Sequence, residues 1–375
     1  MNQRVRKILI LAGEESGDLH GSYLVESLLK LSIPLKIFAM GGQKMKLSGA
    51  ELLENTLESS VVGISEVLWA IPSLIKRQQR IQKFVEYERP DLIIFIDFPG
   101  FHLRLMPNLA GLAPMAYYIP PKVWVWKQNR ALKILKFCKR IYTIFPFENS
   151  YFPNKASYFG HPLVDFVKPE SSLNEFKQRY CLEDETFTVA LVPGSRQQEI
   201  IKMLPRFCAA AKLVANIRKV KWLLPLADSI SENNLPQDFL HDLDIQIIRG
   251  CTYDAIKHSD LIIATSGTVT LEATLLGTPM IICNRASWVT YMTFKLLSKI
   301  PYVGLPNIIS NAEICPEMLQ SDTEPIKLSE LILDYLDKPQ KLQKQKEDLS
   351  RVVQTLGEPG VVERVSNHMA EEFLQ

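Results

Sequence analysis

Short apolar, β-branched runs alternate with helix-compatible segments along the chain, and they do so twice. In the first half the runs fall at 7–12, 35–40, 91–98, 115–119 and 140–145; in the second they fall at 187–192, 220–226, 245–248, 261–264 and 280–283. Strands that are apolar throughout, separated by amphipathic helices, require parallel sheets covered on both faces. Two such series in 375 residues predict an α/β protein of two Rossmann-like parallel-sheet domains facing an interdomain cleft. The polar stretch 167–185 is the expected linker. It sets domains at 1–168 and 169–355, followed by a terminal helical segment, 356–375, whose docking place periodicity does not show.

Composition narrows the class. A hydrophobic fraction of 47% and a charged fraction of 22% belong to a folded globular chain. The six cysteines form no CxxC pair, which predicts reduced thiols and a cytoplasmic protein. No apolar run reaches the ~18 residues of a membrane span. Basic residues outnumber acidic ones 22 to 14 over 1–168 and are outnumbered 21 to 27 beyond it. The first half is therefore expected to meet an anionic surface, with no nucleic-acid partner implied. Oligomeric state leaves no mark in the sequence.

Ligands of open parallel sheets collect at the carboxyl ends of the strands, so the loops there carry the chemistry. The sequence LIIATSGTVTLE, 261–272, is a strand that turns through Ser266, Gly267 and Thr268 into a helix. A helix start of this kind offers unpaired N–H groups at the positive end of the helix dipole, as a diphosphate requires. Glu272, about one turn further in, suits the two hydroxyls of a ribose. Pro193-Gly194-Ser195-Arg196 follows a strand and opens a helix at Gln197, offering amides, a hydroxyl and a guanidinium to the same anion; a plain turn and cap is the alternative. Asn307 is expected in an extended polar loop whose role spacing leaves open.

In the first half, LAGEESGDLHG places Glu14, Glu15, Ser16, Gly17, Asp18 and His20 at a strand mouth, with a simple capped helix start as the bland alternative. Its glycines are four apart, so it is not a GxGxxG fingerprint, and no P-loop ending occurs. The strand IIFID ends on Asp97 before a loop broken by Pro99 and Gly100. A partly desolvated carboxylate there is poised as a general base, with an Asx turn or helix cap as the bland alternative. His102 is a second base candidate, with a structural ring as its alternative. No HExxH, paired Cys/His spacing or Asp-x-Asp pair appears, so no metal and no cofactor are expected.

Residues 63–83 combine an apolar face that includes Leu68, Ile71 and Leu74 with Trp69 and the cations Lys76, Arg77 and Arg80. This reads as an interfacial patch on anionic lipid, or as a core helix kinked at Pro72 with a solvated basic face. Trp124, Trp126, Lys127 and Arg130 extend the same basic, aromatic surface.

Nine segments resemble lipid-A-disaccharide synthases: AGEESGDLHG, VVGISEVL, IDFPGF, VWVW, FPFE, FGHPL, LVPGSR, ATSGTVTLEA and PYVGLPNII, in the family's order and across nearly the whole chain. The resemblance implies a GT-B glycosyltransferase, peripheral on the cytoplasmic face of the inner membrane, with the terminal helix 356–375 packing back on the first domain as GT-B folds commonly have it. Its partners would be UDP-diacylglucosamine and diacylglucosamine 1-phosphate, joined with inversion and release of UDP. By position it implies Asp97 as catalytic base and links Glu14, Arg196, Glu272 and Asn307 to activity or nucleotide binding. The chain departs from the family's usual Ser-Pro-Ser at Pro120-Pro121-Lys122, and from Pro-Asp-Phe-Asn at Pro99-Gly100-Phe101-His102. A UDP-sugar epimerase, a transferase with a soluble acceptor and a non-catalytic nucleotide binder at a membrane are the alternatives.

Overall fold

The computed structural model describes residues 4–55, 71–125, 128–183, 186–227, 230–240, 243–287, 291–292, 298 and 300–375. They form two compact units, one of residues 1–165 with 356–375 and one of residues 166–355.

The first unit holds β1 (Arg6–Ala12), α1 (Glu15–Leu29), β2 (Leu35–Gly41), α2 (Gln43–Leu47), β3 (Glu51–Asn55), α3 (Ile71–Glu88), β4 (Leu92–Ile96), α4 (Pro99–Leu109), β5 (Met115–Tyr118), α5 (Asn129–Phe137), β6 (Arg140–Thr143) and β7 (Ala156–Tyr158), with a last helix at Val361–Phe373. All seven strands are parallel, in the order β3-β2-β1-β4-β5-β6-β7. The direction of winding reverses between β1 and β4. Ile8 to Ala12 and Leu92 to Ile96 are fully buried, as unbroken apolar runs covered on both faces must be. The last helix is pinned by Asp165, whose carboxylate accepts from the amides of Gly360, Val361 and Val362 at 2.7, 3.1 and 2.9 Å. A carboxylate on the free amides of a helix start is favourable in charge as well as in hydrogen bonding.

The second unit holds α6 (Leu173–Tyr180), β8 (Phe187–Val192), α7 (Gln197–Ala215), β9 (Val220–Leu226), β10 (Ile245–Arg249), α8 (Thr252–Lys257), β11 (Leu261–Thr265), α9 (Thr268–Leu276), β12 (Met280–Asn284), a helix at Leu305–Ser310, β13 (Glu317–Leu319), and helices at Pro325–Asp337 and Pro339–Thr355. Its six strands are again all parallel, in the order β10-β9-β8-β11-β12-β13, with the reversal between β8 and β11. Phe207, Trp222 and the apolar faces of β8 and β11 centre its core.

Several expectations are corrected. The stretch read as a linker contains α6, started by a capping box in which Ser172 and Glu175 satisfy each other's backbone. The Ser171 amide and hydroxyl both donate to Asp254 at 2.6 Å, which ties this stretch to the second unit. Strands β3, β7 and β13, at sheet edges, have no counterpart among the apolar runs; edge strands are half solvated and lack the continuous pattern. None of the described helices is long and apolar enough to cross a membrane.

Candidate active site

In the second unit the reversal between β8 and β11 brings together the two loops singled out in the sequence. Arg196, Gln197, Glu199, Lys202, Thr265, Ser266, Asn284 and Arg285 line a pocket of about 550 Å³ there. Gly267 is extended and open, with nothing within 4 Å of where a Cβ would stand, and Thr268 begins α9. The first amides of α9 lack intrahelical acceptors and point out of the helix start.

The Pro193–Arg196 loop differs from expectation. Gly194, at φ +117°, folds the chain back so tightly that a Cβ would lie 2.3 Å from Glu199 Oε2. That carboxylate accepts from the Ser195 and Arg196 amides at 3.2 and 3.4 Å and pairs with the Arg196 guanidinium at 3.1 Å. The loop's amides are thus already satisfied by a glutamate three residues into the helix, a capping pattern legible in the sequence. The exposed Arg196 side chain is placed to exchange Glu199 for another anion. Ser266 donates its hydroxyl to Val303 O at 2.8 Å and keeps its lone pairs.

Glu272 is half-buried on α9 and accepts from the Tyr253 hydroxyl at 3.2 Å. Burial raises its pKa, partly offset by Tyr253. Tyr253 also lines a second pocket, about 340 Å³, with Leu226, Ala227, Gly250, Cys251 and Thr252 at the ends of β9 and β10. Tyr253, Asn284 and Arg285 were missed: Tyr253 belongs to α8, Asn284 ends β12 and Arg285 follows it, and no local motif marks them.

Asn307 is corrected outright. It lies in the helix Leu305–Ser310 and is fully buried. Its Nδ2 donates to Cys315 O and Glu317 Oε1 at 2.7 and 2.8 Å, and its Oδ1 accepts from the Ile314 and Cys315 amides at 2.9 Å each. All four hydrogen-bonding positions of the amide are used. Glu317 in turn accepts from the Val303 and Gly304 amides, and Val303 O holds Ser266. Asn307 therefore supports the helix-start loop from behind instead of facing a ligand.

In the first unit Asp97 is the first residue after β4, at the reversal of that sheet. Asp97 and Phe98 both have φ +47°, in the left-handed region that costs a non-glycine residue about 1–2 kcal/mol. The strain is held by two bonds onto one atom: the Tyr117 hydroxyl and His102 Nδ1–H both donate to Asp97 O, at 2.6 and 2.7 Å. The expected loop is instead the first turn of α4, with Pro99 at its first position, where a missing N–H costs nothing. The Asp97 carboxyl is half-buried. Burial raises its pKa, while the Phe98 amide and the Lys122 ammonium oppose the rise.

His102 is fully buried among Phe95, Phe98, Phe101 and Tyr117. Burial depresses its pKa to about 3, so it is uncharged. It cannot meet an acceptor as expected; it acts on the Asp97 backbone. Of the first loop, Glu14 and Ser16 are exposed and His20 is half-buried. Gly17 is buried, 3.1 Å from Ala12 Cβ by its own missing Cβ, and serves close packing. Gly13 touches Phe98: a Cβ there would come within 2.1 Å of the ring. The first loop and the Asp97 turn are therefore in contact. Asp18 instead turns away to accept from the Gly42, Lys44 and Met45 amides.

Of the expected lipid contacts, Leu68 and Trp69 lie outside the described residues, as do Trp126, Lys127 and the side chain of Ile71. Leu74 packs against the core of the first unit and Arg77 pairs with Glu54 at 2.7 Å, so neither is a free surface group. Lys76 and Arg80 are exposed, as is the apolar Ile75.

Comparison with known proteins places these features in context. The family profile described as lipid-A-disaccharide synthetase matches residues 8–373. The lipid-A-disaccharide synthases of Syntrophus aciditrophicus and Geobacter metallireducens are each 35% identical over 98% of this chain and 97% of their own; that of Coxiella burnetii is 33% identical over 88% and 89%. Among solved structures, Acinetobacter baumannii MurG superposes with a TM-score of 0.64 at 14% identity over 98% of this chain and all of its own. UDP-GlcNAc 2-epimerase from Neisseria meningitidis gives 0.64 at 13% over 98% and 99%. The two parallel-sheet units thus have the GT-B fold.

Proposed function

Because the chain belongs to the lipid-A-disaccharide synthetase family, and so is a glycosyltransferase of lipid A biosynthesis, we propose that it moves 2,3-diacylglucosamine from UDP to the 6-hydroxyl of 2,3-diacylglucosamine 1-phosphate, with inversion at the anomeric carbon. The observation that carries this reading is that the sheet reversal in each unit bears one half of the chemistry. In the second unit an open helix start, the exposed Arg196 and a half-buried glutamate suit a nucleoside diphosphate. In the first a half-buried carboxylate suits a base.

The diphosphate sits on the Gly267–Thr268 helix start and draws Arg196 away from Glu199. The ribose hydroxyls donate to Glu272, and the base occupies the pocket beside Tyr253. Charge that builds on the leaving UDP is met by prepositioned amides and guanidinium, which need no reorganisation as the bond breaks. Asp97 accepts the proton of the attacking hydroxyl; its half-buried setting raises its affinity for that proton. Asn307 acts as a positioning residue through Glu317 and Val303. Gly194 and Ser195 shape the Arg196 turn, and Glu14, Ser16 and His20 border the acceptor.

The protein works at the inner face of the inner membrane. Supporting this, the neighbouring helices α3, α4 and α5 expose Lys76, Arg80, Lys83, Arg104, Lys133 and Lys136 together with Ile75 and Leu132. Cations around exposed apolar side chains suit an anionic lipid surface. The test is UDP release with both acylated substrates. Asp97→Asn, shown folded, is expected to lose at least ~10²-fold in turnover, as removal of a general base does; near wild-type turnover would overturn the assignment.

A further inference from the structure

Three basic side chains of the first unit, two of them outside the scheme above and the third only bordering it, lie near one another. Lys122 follows β5 in a tight turn, where the Val123 amide donates to Pro121 O at 2.6 Å. Its side chain is exposed and makes no hydrogen bond or ion pair among the described residues, although the Asp97 and Glu148 carboxylates are near enough to act on it. Glu148 is engaged elsewhere: it accepts from Trp124 Nε1 and from the Ile144 and Phe145 amides, at 2.9, 3.1 and 3.2 Å. A lysine with a purely structural role in this setting would close onto one of the two carboxylates; Lys122 closes onto neither.

His161, only 4% exposed, accepts from the Leu163 amide at Nδ1, at 3.1 Å. Its proton therefore resides on Nε2, which has no acceptor among the described residues. His20, one turn into α1, has a buried Nδ1 without a partner. His161 feels both His20 and Lys122, and burial keeps both rings uncharged, so they serve as hydrogen-bond groups and not as cations. His161 thus neighbours both the Lys122 ammonium and the His20 ring; an ammonium and imidazole nitrogens that lack partners match the oxygens of a phosphate, which gains charge-assisted bonds from the first and neutral bonds from the others.

We infer that Lys122, His161 and His20 form the subsite that seats the phosphate of the acceptor sugar, beside Asp97. The inference rests on the acceptor named above and deepens it. The subsite orients the sugar so that the hydroxyl remote from the phosphate meets the Asp97 carboxylate.

The test compares kcat/KM for diacylglucosamine 1-phosphate with that for diacylglucosamine lacking the phosphate. Wild type is expected to prefer the phosphorylated acceptor, Lys122→Met to reduce that preference about tenfold or more, and Lys122→Arg to restore most of it. In parallel, the ring nitrogen signals of His161 and His20 are followed by NMR. They should move on adding glucosamine 1-phosphate and not on adding glucosamine. A preference unchanged in Lys122→Met overturns the subsite, as do histidine signals that ignore the phosphate. Turnover with a soluble acceptor, or none with either acylated acceptor, counts against the acceptor reading; the NMR titration still decides the subsite.

Discussion

Replacing Glu272 by alanine tests the nucleotide half of the site. Its two carboxylate oxygens offer about four acceptor positions. Tyr253 fills one at Oε1, leaving enough for both ribose hydroxyls. A hydrogen bond to a charged group contributes about 1.5–3 kcal/mol, so two at the low end amount to about 3 kcal/mol. At 1.4 kcal/mol per tenfold, the expected loss is about 100-fold in UDP affinity. Because the carboxyl is already half-desolvated in the free protein, little of this is returned as a fresh desolvation cost. The assay is titration calorimetry with UDP and with 2'-deoxy-UDP. Wild type should discriminate between them and Glu272→Ala should not. The raised pKa adds a signature: UDP affinity should begin to fall on acidification at a higher pH than an ordinary glutamate, near 4.5, would give. A folded Glu272→Ala protein that binds UDP within threefold of wild type, or still rejects the deoxy ligand, refutes the reasoning.

Three further outcomes are expected. Gly13→Ala drives a methyl into the Phe98 ring and displaces the strained Asp97 turn; turnover should fall ~10²-fold, as small misplacements do, while calorimetry shows UDP affinity unaltered. Reversing Lys76, Arg80, Lys133 and Lys136 to glutamate should abolish cosedimentation with phosphatidylglycerol vesicles, since each cation contributes about 1 kcal/mol near such a surface; retained binding would move the membrane face elsewhere. His102 and His161, depressed to about 3, and His20, depressed to about 4, stay neutral in the fold while the unfolded chain protonates near 6.5. Their contribution is complete above pH 6.5 and lost as pH falls toward 4; Glu148, raised to about 7, and Asp97 and Glu272, also raised by burial, have the opposite sign, while Asp254, Asp334 and Glu372, held low in the fold, add to the loss at the acid end. Urea titrations should therefore show declining stability from pH 6.5 to 4, with a shallower decline in His102→Phe.

Much of the local structure that carries the candidate site was legible because it is written over short range. A strand, a small turn and a helix start are written within a dozen residues at 261–272, and the same holds for Asp97 at the end of β4. Residues misread were those whose role depends on distant partners. His102 looked like a base beside a carboxylate, but Phe95 and Tyr117 come from other strands to bury it. Asn307 looked like a ligand in a loop, but Glu317 and Cys315 consume its amide. Glu199 was the exception: its capping of the Arg196 turn lies within three residues and could have been read.

By itself the sequence determined the central strands of two parallel α/β units and the helices between them, because period, turn chemistry and continuous apolar runs act over short range. It could not determine the order β3-β2-β1-β4-β5-β6-β7, which puts the Asp97 turn against the first loop, nor that Asp165 draws the last helix into the first unit across 195 residues. Pairing order and burial are settled by long-range contacts. The local Glu199 cap apart, those contacts decide which polar groups are consumed inside the fold and which are left for a ligand.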